Sequence, residues 1–181
     1  MDRKKQIENL PVDVKKFFIL LQKLKNHFDK SFISELDRSL PFADLMFDRW
    51  ERAKLAGFGE GTSVYDSCCI FGKVKVGINT WVGPFTVLDG SGGLEIGNNC
   101  SISAGVQIYS HDSVSWAISG GKEKYEYAST SIGNNCYIGP NTIITKGVTL
   151  HNNTIVGANS LVKNSFPQGS KIAGSPAKLI Q

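Results

Sequence analysis

The stretch SIGNNCYIGPNTIITKGVTLHNNTIVGANSLV, residues 131–162, decides the fold. Every sixth residue in it is aliphatic: Ile132, Ile138, Ile144, Leu150, Val156 and Val162. The same beat runs through Ile70, Val76, Val82 and Leu88, and again through Ile96, Ile102 and Ile108. A period of six fits neither an α-helix nor a simple strand. It is a solenoid repeat in which each short unit turns one aliphatic side chain inward. Four residues after a beat residue comes a small one: Thr80, Thr86, Cys100, Val106, Cys136, Thr142, Val148, Thr154, Ser160. Cys100 and Cys136 therefore read as small buried fillers. With no Cys-x-x-Cys spacing, a structural zinc site is not expected. The turns between units, such as Gly97-Asn98-Asn99, Gly139-Pro140-Asn141 and Gly157-Ala158-Asn159, hold residues that tolerate the left-handed backbone of a sharp corner.

The 181 residues suit one domain with an attachment. The formal net charge of +4 is spread out: residues 1–57 carry 12 Lys/Arg against 9 Asp/Glu, and residues 58–181 carry 8 against 7. No clustered basic stripe points to nucleic acid. The most apolar run, Phe17 to Leu21, is too short to span a bilayer, and the N-terminus has no signal-peptide pattern, so a cytoplasmic protein is expected. Residues 1–61 have a helical texture. Val14, Phe17, Phe18, Leu21, Leu24 and Phe28 recur at helical spacing after a start at Pro11, and a second stretch carries Leu45, Met46, Trp50 and Leu55. An amphipathic membrane-surface anchor is one reading of the first helix. The expectation is instead a helical cap or extension, because repeat arrays need their terminal faces covered, and membrane association is not indicated. Residues 62–165 then form the solenoid, with an external loop at 112–128, and residues 166–181 a tail.

The beat is interrupted twice. Gly90-Ser91-Gly92-Gly93 separates Leu88 from Ile96, and a longer insertion separates Ile108 from Ile132. Insertions at solenoid corners commonly mark the binding face. Three units back from Ile108 lies Leu88, which puts Asp89 and Ser91 one coil below His111 at one corner. If the Val114 unit belongs to the coil, Ile138 stacks above Ile108, and Gly139, Pro140 and Asn141 flank His111 from the other side. Asp112 and Trp116 in the loop complete an acceptor-binding set. An imidazole titrating near neutrality suits a general base. The Gly139-Pro140-Asn141 corner is a candidate for backbone N–H groups facing an oxyanion. His27 and His151 read as solvated structural residues.

Residues 62–181 resemble the left-handed parallel β-helices of the hexapeptide-repeat acyltransferases, in particular sugar O-acetyltransferases of surface-polysaccharide or lipopolysaccharide assembly. The carrying segments are Gln107-Ile108-Tyr109-Ser110-His111-Asp112, the run 131–162, and the tail Ile172-Ala173-Gly174-Ser175-Pro176-Ala177-Lys178. The resemblance implies a mostly β fold of about five coils, left-handed as that family's exception to right-handed crossovers. It implies a homotrimer, acetyl-CoA as co-substrate and a saccharide acceptor. It implies His111 as catalytic base and Asp89 as the carboxylate that holds the acceptor. Tyr137 stands where Trp usually borders the cofactor channel. Gly139, Asn141, Ala158 and Asn159 fall along the pantetheine arm, Pro176 and Lys178 near the adenine and phosphates. Lys163 stands one residue from the family's usual lysine, and Gly83-Pro84 replaces an acceptor-side Asn. No resident metal is implied. The alternatives are an N-acetyltransferase on a nucleotide-linked amino sugar, a γ-type carbonic anhydrase, which needs three histidine ligands, and a catalytically silent solenoid.

Overall fold

The six-residue beat folds into three faces of parallel strands, seen in a computed structural model that describes residues 3–180. The first face stacks β1 (Ser63–Val64), β3 (Trp81–Val82), β5 (Ser101–Ile102), β10 (Tyr137–Ile138), β13 (Ile155–Val156) and β15 (Lys171–Gly174). The second stacks the starts of β2 (Cys69–Val76) and β4 (Val87–Ile96), then β6 (Gln107–Ile108), β11 (Ile143–Ile144) and β14 (Leu161–Val162). The third uses the ends of β2 and β4, then β9 (Thr130–Ile132) and β12 (Thr149–Leu150), and closes on a bridge from Leu150 to Phe166. A last strand, β16 (Ala177–Leu179), folds back antiparallel on β15. Five coils are complete and Ile172 opens a sixth, one strand beyond the expected five. The architecture is the left-handed parallel β-helix.

Register does the packing. Ile102 stacks on Val82 and under Ile138, while Ile108 stacks on Leu88 and under Ile144. These side chains, with Ile132, Leu150, Val156, Val162 and Ile172, are fully buried. The small slots behave as expected: Thr80, Cys100 and Cys136 are buried, and each donates its hydroxyl or thiol to a carbonyl of the next coil. The neighbouring Cys100 sulfur and burial both push the Cys136 thiol up, in keeping with an inert filler. The corner between the third and first faces carries an asparagine ladder. Asn98 Oδ1 accepts from Ile78 N–H, Asn134 Oδ1 from Asn98 N–H, and Asn152 Oδ1 from Asn134 N–H. The residue after each ladder asparagine, Asn99, Asn135 or Asn153, takes the left-handed turn.

Contact density divides the chain into two units, Met1–Met46 and Phe47–Gln181. The first holds α1 (Arg3–Glu8), α2 (Val12–Leu36), beginning directly after Pro11, and α3 (Phe42–Met46). The second expected helical stretch is therefore split. Its later part, α4 (Arg49–Leu55), belongs to the β-helical unit and packs against β1. There Arg52 donates to the carbonyls of Tyr65 and Cys68, which ties the helix to the first coil. Among the described residues no helix is long and apolar enough to cross a membrane.

One corner departs from the rule. Phe85 occupies the left-handed turn position (φ 59°) that Asn or Gly fills elsewhere, and it is 60% exposed. A bulky L-residue there carries roughly 1 kcal/mol of steric cost with no burial to offset it. Phe85→Asn is expected to raise the urea midpoint, adding about 0.5–1 kcal/mol. An unchanged or lower midpoint would show that the ring contributes more than the strain costs.

Candidate active site

Between the second and third faces the corner is not a sharp turn. β2 and β4 run through it as extended strands, with a register shift after Gly72. Here the backbones lie close: a Cβ on Gly90 would come within 2.2 Å of Lys73 O. This opened corner tips Asp89 inward, leaving it 1% exposed. Burial alone favours the neutral acid, but the donors around it outweigh burial. Ser91 gives its N–H (3.0 Å) and hydroxyl (2.5 Å) to Oδ1, and Ser110 gives its N–H (2.9 Å) to Oδ2. His111 Nδ1 lies 2.6 Å from the same Oδ2. Together they hold the carboxyl well below its ordinary range. An ionised Asp89 makes Nδ1 the protonated nitrogen and leaves the lone pair on Nε2.

The long insertion folds as a small hairpin over this imidazole. β7 (His111–Asp112) pairs antiparallel with β8 (Glu126–Tyr127), setting His111 opposite Tyr127 and Asp112 opposite Glu126. Tyr125 and Tyr127 stack on the His111 ring, with centroids at 6.2 and 5.8 Å. A short helix, α5 (Val114–Ile118), brings Trp116 edge-on to Tyr125. From the coil above, Lys146 Nζ reaches Asp112 Oδ2 at 2.6 Å and Glu126 Oε2 at 2.5 Å. An open cleft of about 330 Å³ is lined by Tyr109, His111, Asp112, Val114, Thr145 and Lys146.

Several sequence expectations need correction. The Val114 unit is not part of the coil; it is α5, so Ile144 rather than Ile138 stacks above Ile108. Gly139, Pro140 and Asn141 consequently sit on the corner between the first and second faces, above Ala104, and do not flank His111. The N–H groups of Gly139 and Asn141 donate to Val156 O and Ala104 O, so they are not free to face an oxyanion. Asp89 is buried behind His111 with both oxygens engaged by protein, so it holds the imidazole and presents no free oxygen to the cleft, where the sequence reading has it bind the acceptor. Ser91 spends its hydroxyl on Asp89, and Asp112 spends its carboxylate on Lys146 and the Val114 N–H. Trp116 does project from the loop with 44% of its surface exposed.

The expected cofactor residues fall in three places. Gly139, Asn141, Ala158 and Asn159 lie on the corner between the first and second faces, and Gly139 must be glycine because a Cβ would sit 2.6 Å from Ala158 N. Tyr137 lies on the outer side of the first face in register with Ile155 and Lys171, and β16, at the edge of the same face, carries Lys178 opposite Ala173. Pro176 is in the turn between β15 and β16. Lys163 follows Val162 on the His111 corner, one coil above Thr145. Sequence reasoning missed Lys146, Tyr125, Tyr127 and Ser110 as site members.

Known proteins share the repeats and the fold. The family model "Bacterial transferase hexapeptide (six repeats)" matches residues 129–164, and "Hexapeptide repeat of succinyl-transferase" matches residues 73–110. The Bifunctional protein GlmU of Clostridium acetobutylicum is 34% identical over 98 residues, which are 54% of this chain and 18% of that one. Galactoside O-acetyltransferase of Escherichia coli K12 is 28% identical over 127 residues, covering 59% of this chain and 62% of the relative. The chain thus spans about a fifth to a quarter of the length of the GlmU relatives it matches. In fold it matches AntD, an N-acyltransferase from Bacillus cereus solved in complex with dTDP and 3-hydroxybutyryl-CoA. The TM-score is 0.61 at 23% identity, covering 68% of this chain and 70% of that one. Fold and site together define a hexapeptide-repeat β-helix with a histidine at its interrupted corner. The chain carries hexapeptide repeats of the kind found in bacterial transferases, over residues 73–110 and 129–164.

The depressed acidity of Asp89 has a stability consequence. Its contribution is fully present above the unfolded carboxyl's pKa and is lost as pH falls through the lower folded value. Asp89→Asn is therefore expected to flatten the acid limb of the stability curve below roughly pH 4. Chemical denaturation at pH 3 and pH 7 measures this; equal slopes for both proteins would remove Asp89 from acid unfolding.

Proposed function

We propose that this protein transfers an acetyl group from acetyl-CoA directly to a hydroxyl of a saccharide acceptor, with His111 as general base. The observation that carries the reading is the buried Asp89 oxygen 2.6 Å from His111 Nδ1, which fixes the tautomer a base requires. The acceptor proton passes to Nε2 as its oxygen attacks the thioester carbonyl. The C–S bond then breaks, and the imidazolium returns its proton to the departing thiolate. The thioester is already activated, so no acyl-enzyme is needed. The O-acetyl preference follows the relatives, galactoside O-acetyltransferase among them.

The outer row of the first face suits the co-substrate. Tyr137 and Ile155 offer apolar surface for a pantetheine arm, and Lys171 and Lys178 follow with positive charge for phosphates. Gly139, Asn141, Ala158 and Asn159 lie beside that row. In one chain this row and His111 belong to different corners of the coil. A homotrimer with sites between adjacent copies brings such corners together, and we assign that assembly to the protein. A cytoplasmic location follows from the need for acyl-CoA.

Titration with acetyl-CoA is expected to give saturable binding, and a saccharide panel an acetylated product. Hydroxylamine releases the acetyl from an ester and leaves an amide intact, which separates O- from N-transfer. His111→Ala should lower kcat about 10²–10⁴-fold with acetyl-CoA binding retained. Asp89→Asn should cost a similar factor because it reverses the tautomer. Full activity in the His111 variant, or no acetyl-CoA binding at millimolar concentration, would overturn the proposal.

A further inference from the structure

The insertion that covers His111 has little core of its own. Its two strands are two residues each, and Trp116, Ile118, Tyr125 and Tyr127 are all exposed. What fixes it on the coil is largely polar. Ala128 N–H donates to Ser110 O at the base of the hairpin, and Gly147 N–H to Thr130 Oγ1 beside it. Farther out, Asp112 and Glu126 face each other across the two strands, a like-charged pair that would push the strands apart if left uncompensated. Lys146, from the coil above, inserts its ammonium between them and contacts both. Ser115 Oγ donates to the other Glu126 oxygen at 2.6 Å, extending the network into α5.

We propose that Lys146 is a positioning residue, whose ammonium clasps Asp112 and Glu126 and so holds the Tyr125 and Tyr127 rings against His111, setting the acceptor side of the cleft. Each carboxylate belongs to a different strand of one hairpin, and each lies beside a residue of the stack: Asp112 follows His111, and Glu126 separates Tyr125 from Tyr127. One cation from the rigid coil therefore sets both edges of the aromatic wall. The ion pairs hold both carboxylates below their ordinary range and the amine above its own. The clasp is thus closed throughout the neutral range. It is constitutive rather than a pH switch.

The kinetic part of this inference rests on the acetyltransferase reading; the structural part does not. Hydrogen exchange on the intact protein is the test that separates them. Lys146→Met should speed exchange across residues 112–128 by at least about tenfold while leaving the coil strands 143–144 and 161–162 unchanged. Trp116 emission should shift to the red. Lys146→Arg should restore both. Glu126→Gln, which removes the Asp112–Glu126 repulsion along with one of the two ion pairs, should give a smaller change and serves if Lys146→Met does not fold. In acetyl transfer, Lys146→Met should raise the acceptor KM about tenfold or more with the acetyl-CoA KM unchanged. Unchanged exchange in 112–128 would overturn the clasp whatever the activity. Faster exchange with no transfer by the wild-type protein would leave the clasp standing and sink the acetyltransferase reading.

Discussion

Coil-to-coil register is the constraint on which everything else depends. Each strand donates its N–H groups to the coil beside it, and the inward columns are aliphatic on one residue in six. A slip of one residue would turn Ile102, Ile138 and Val156 outward together and expose polar turn residues to the core. Extra chain can therefore leave the coil only at a corner, and the coil must resume in phase. The opened corner between the second and third faces meets both conditions. It places Asp89, His111 and Lys146 on three successive coils, so their alignment is inherited from Leu88, Ile108 and Ile144 beneath them.

Much of this was legible in the chain. The beat of six gave the faces, the slot four residues later gave the buried Thr, Ser and Cys, and counting back from Ile108 put Asp89 under His111. The count failed going forward for a definite reason. Ile108 and Ile132 are 24 residues apart, a multiple of six, so the insertion preserves the phase and Val114 falls on the beat. Phase alone cannot tell a coil unit from an excursion of the same length. Local chemistry could have: Asp112-Ser113 is a polar pair of the kind that precedes a helix, and Asp112 does accept the Val114 N–H just before α5 begins. Lys146 was unreadable because Thr145-Lys146-Gly147 is an ordinary solenoid turn, and its partners lie 34 and 20 residues away.

The asparagine ladder illustrates a different limit. Gly-Asn-Asn reads as turn chemistry, and the second asparagine is indeed left-handed in Asn99 and Asn135. The first does something else, since Asn98 and Asn134 satisfy backbone N–H groups of neighbouring coils. A corner with only glycine and left-handed geometry would leave those donors without protein partners. The two asparagines are thus not interchangeable, although their identity gives no hint of it.

The residues that break the repeat around Asp89 share one purpose. A buried carboxylate is costly unless its lone pairs are filled. Here Ser91 fills Oδ1 twice, while the Ser110 N–H and His111 fill Oδ2; Ser110 Oγ in turn accepts from Gly92 N–H and fixes the loop that carries Ser91. Gly90 is required because Lys73 O would meet its Cβ, and Gly92 because Ser110 O would. None of these residues improves the aliphatic columns. An interruption selected for packing would fill the corner with Val or Thr, as Val106 and Thr142 do elsewhere. This one instead assembles donors around a single charge and directs that charge at one imidazole nitrogen, an arrangement whose effect is to determine the state of the other.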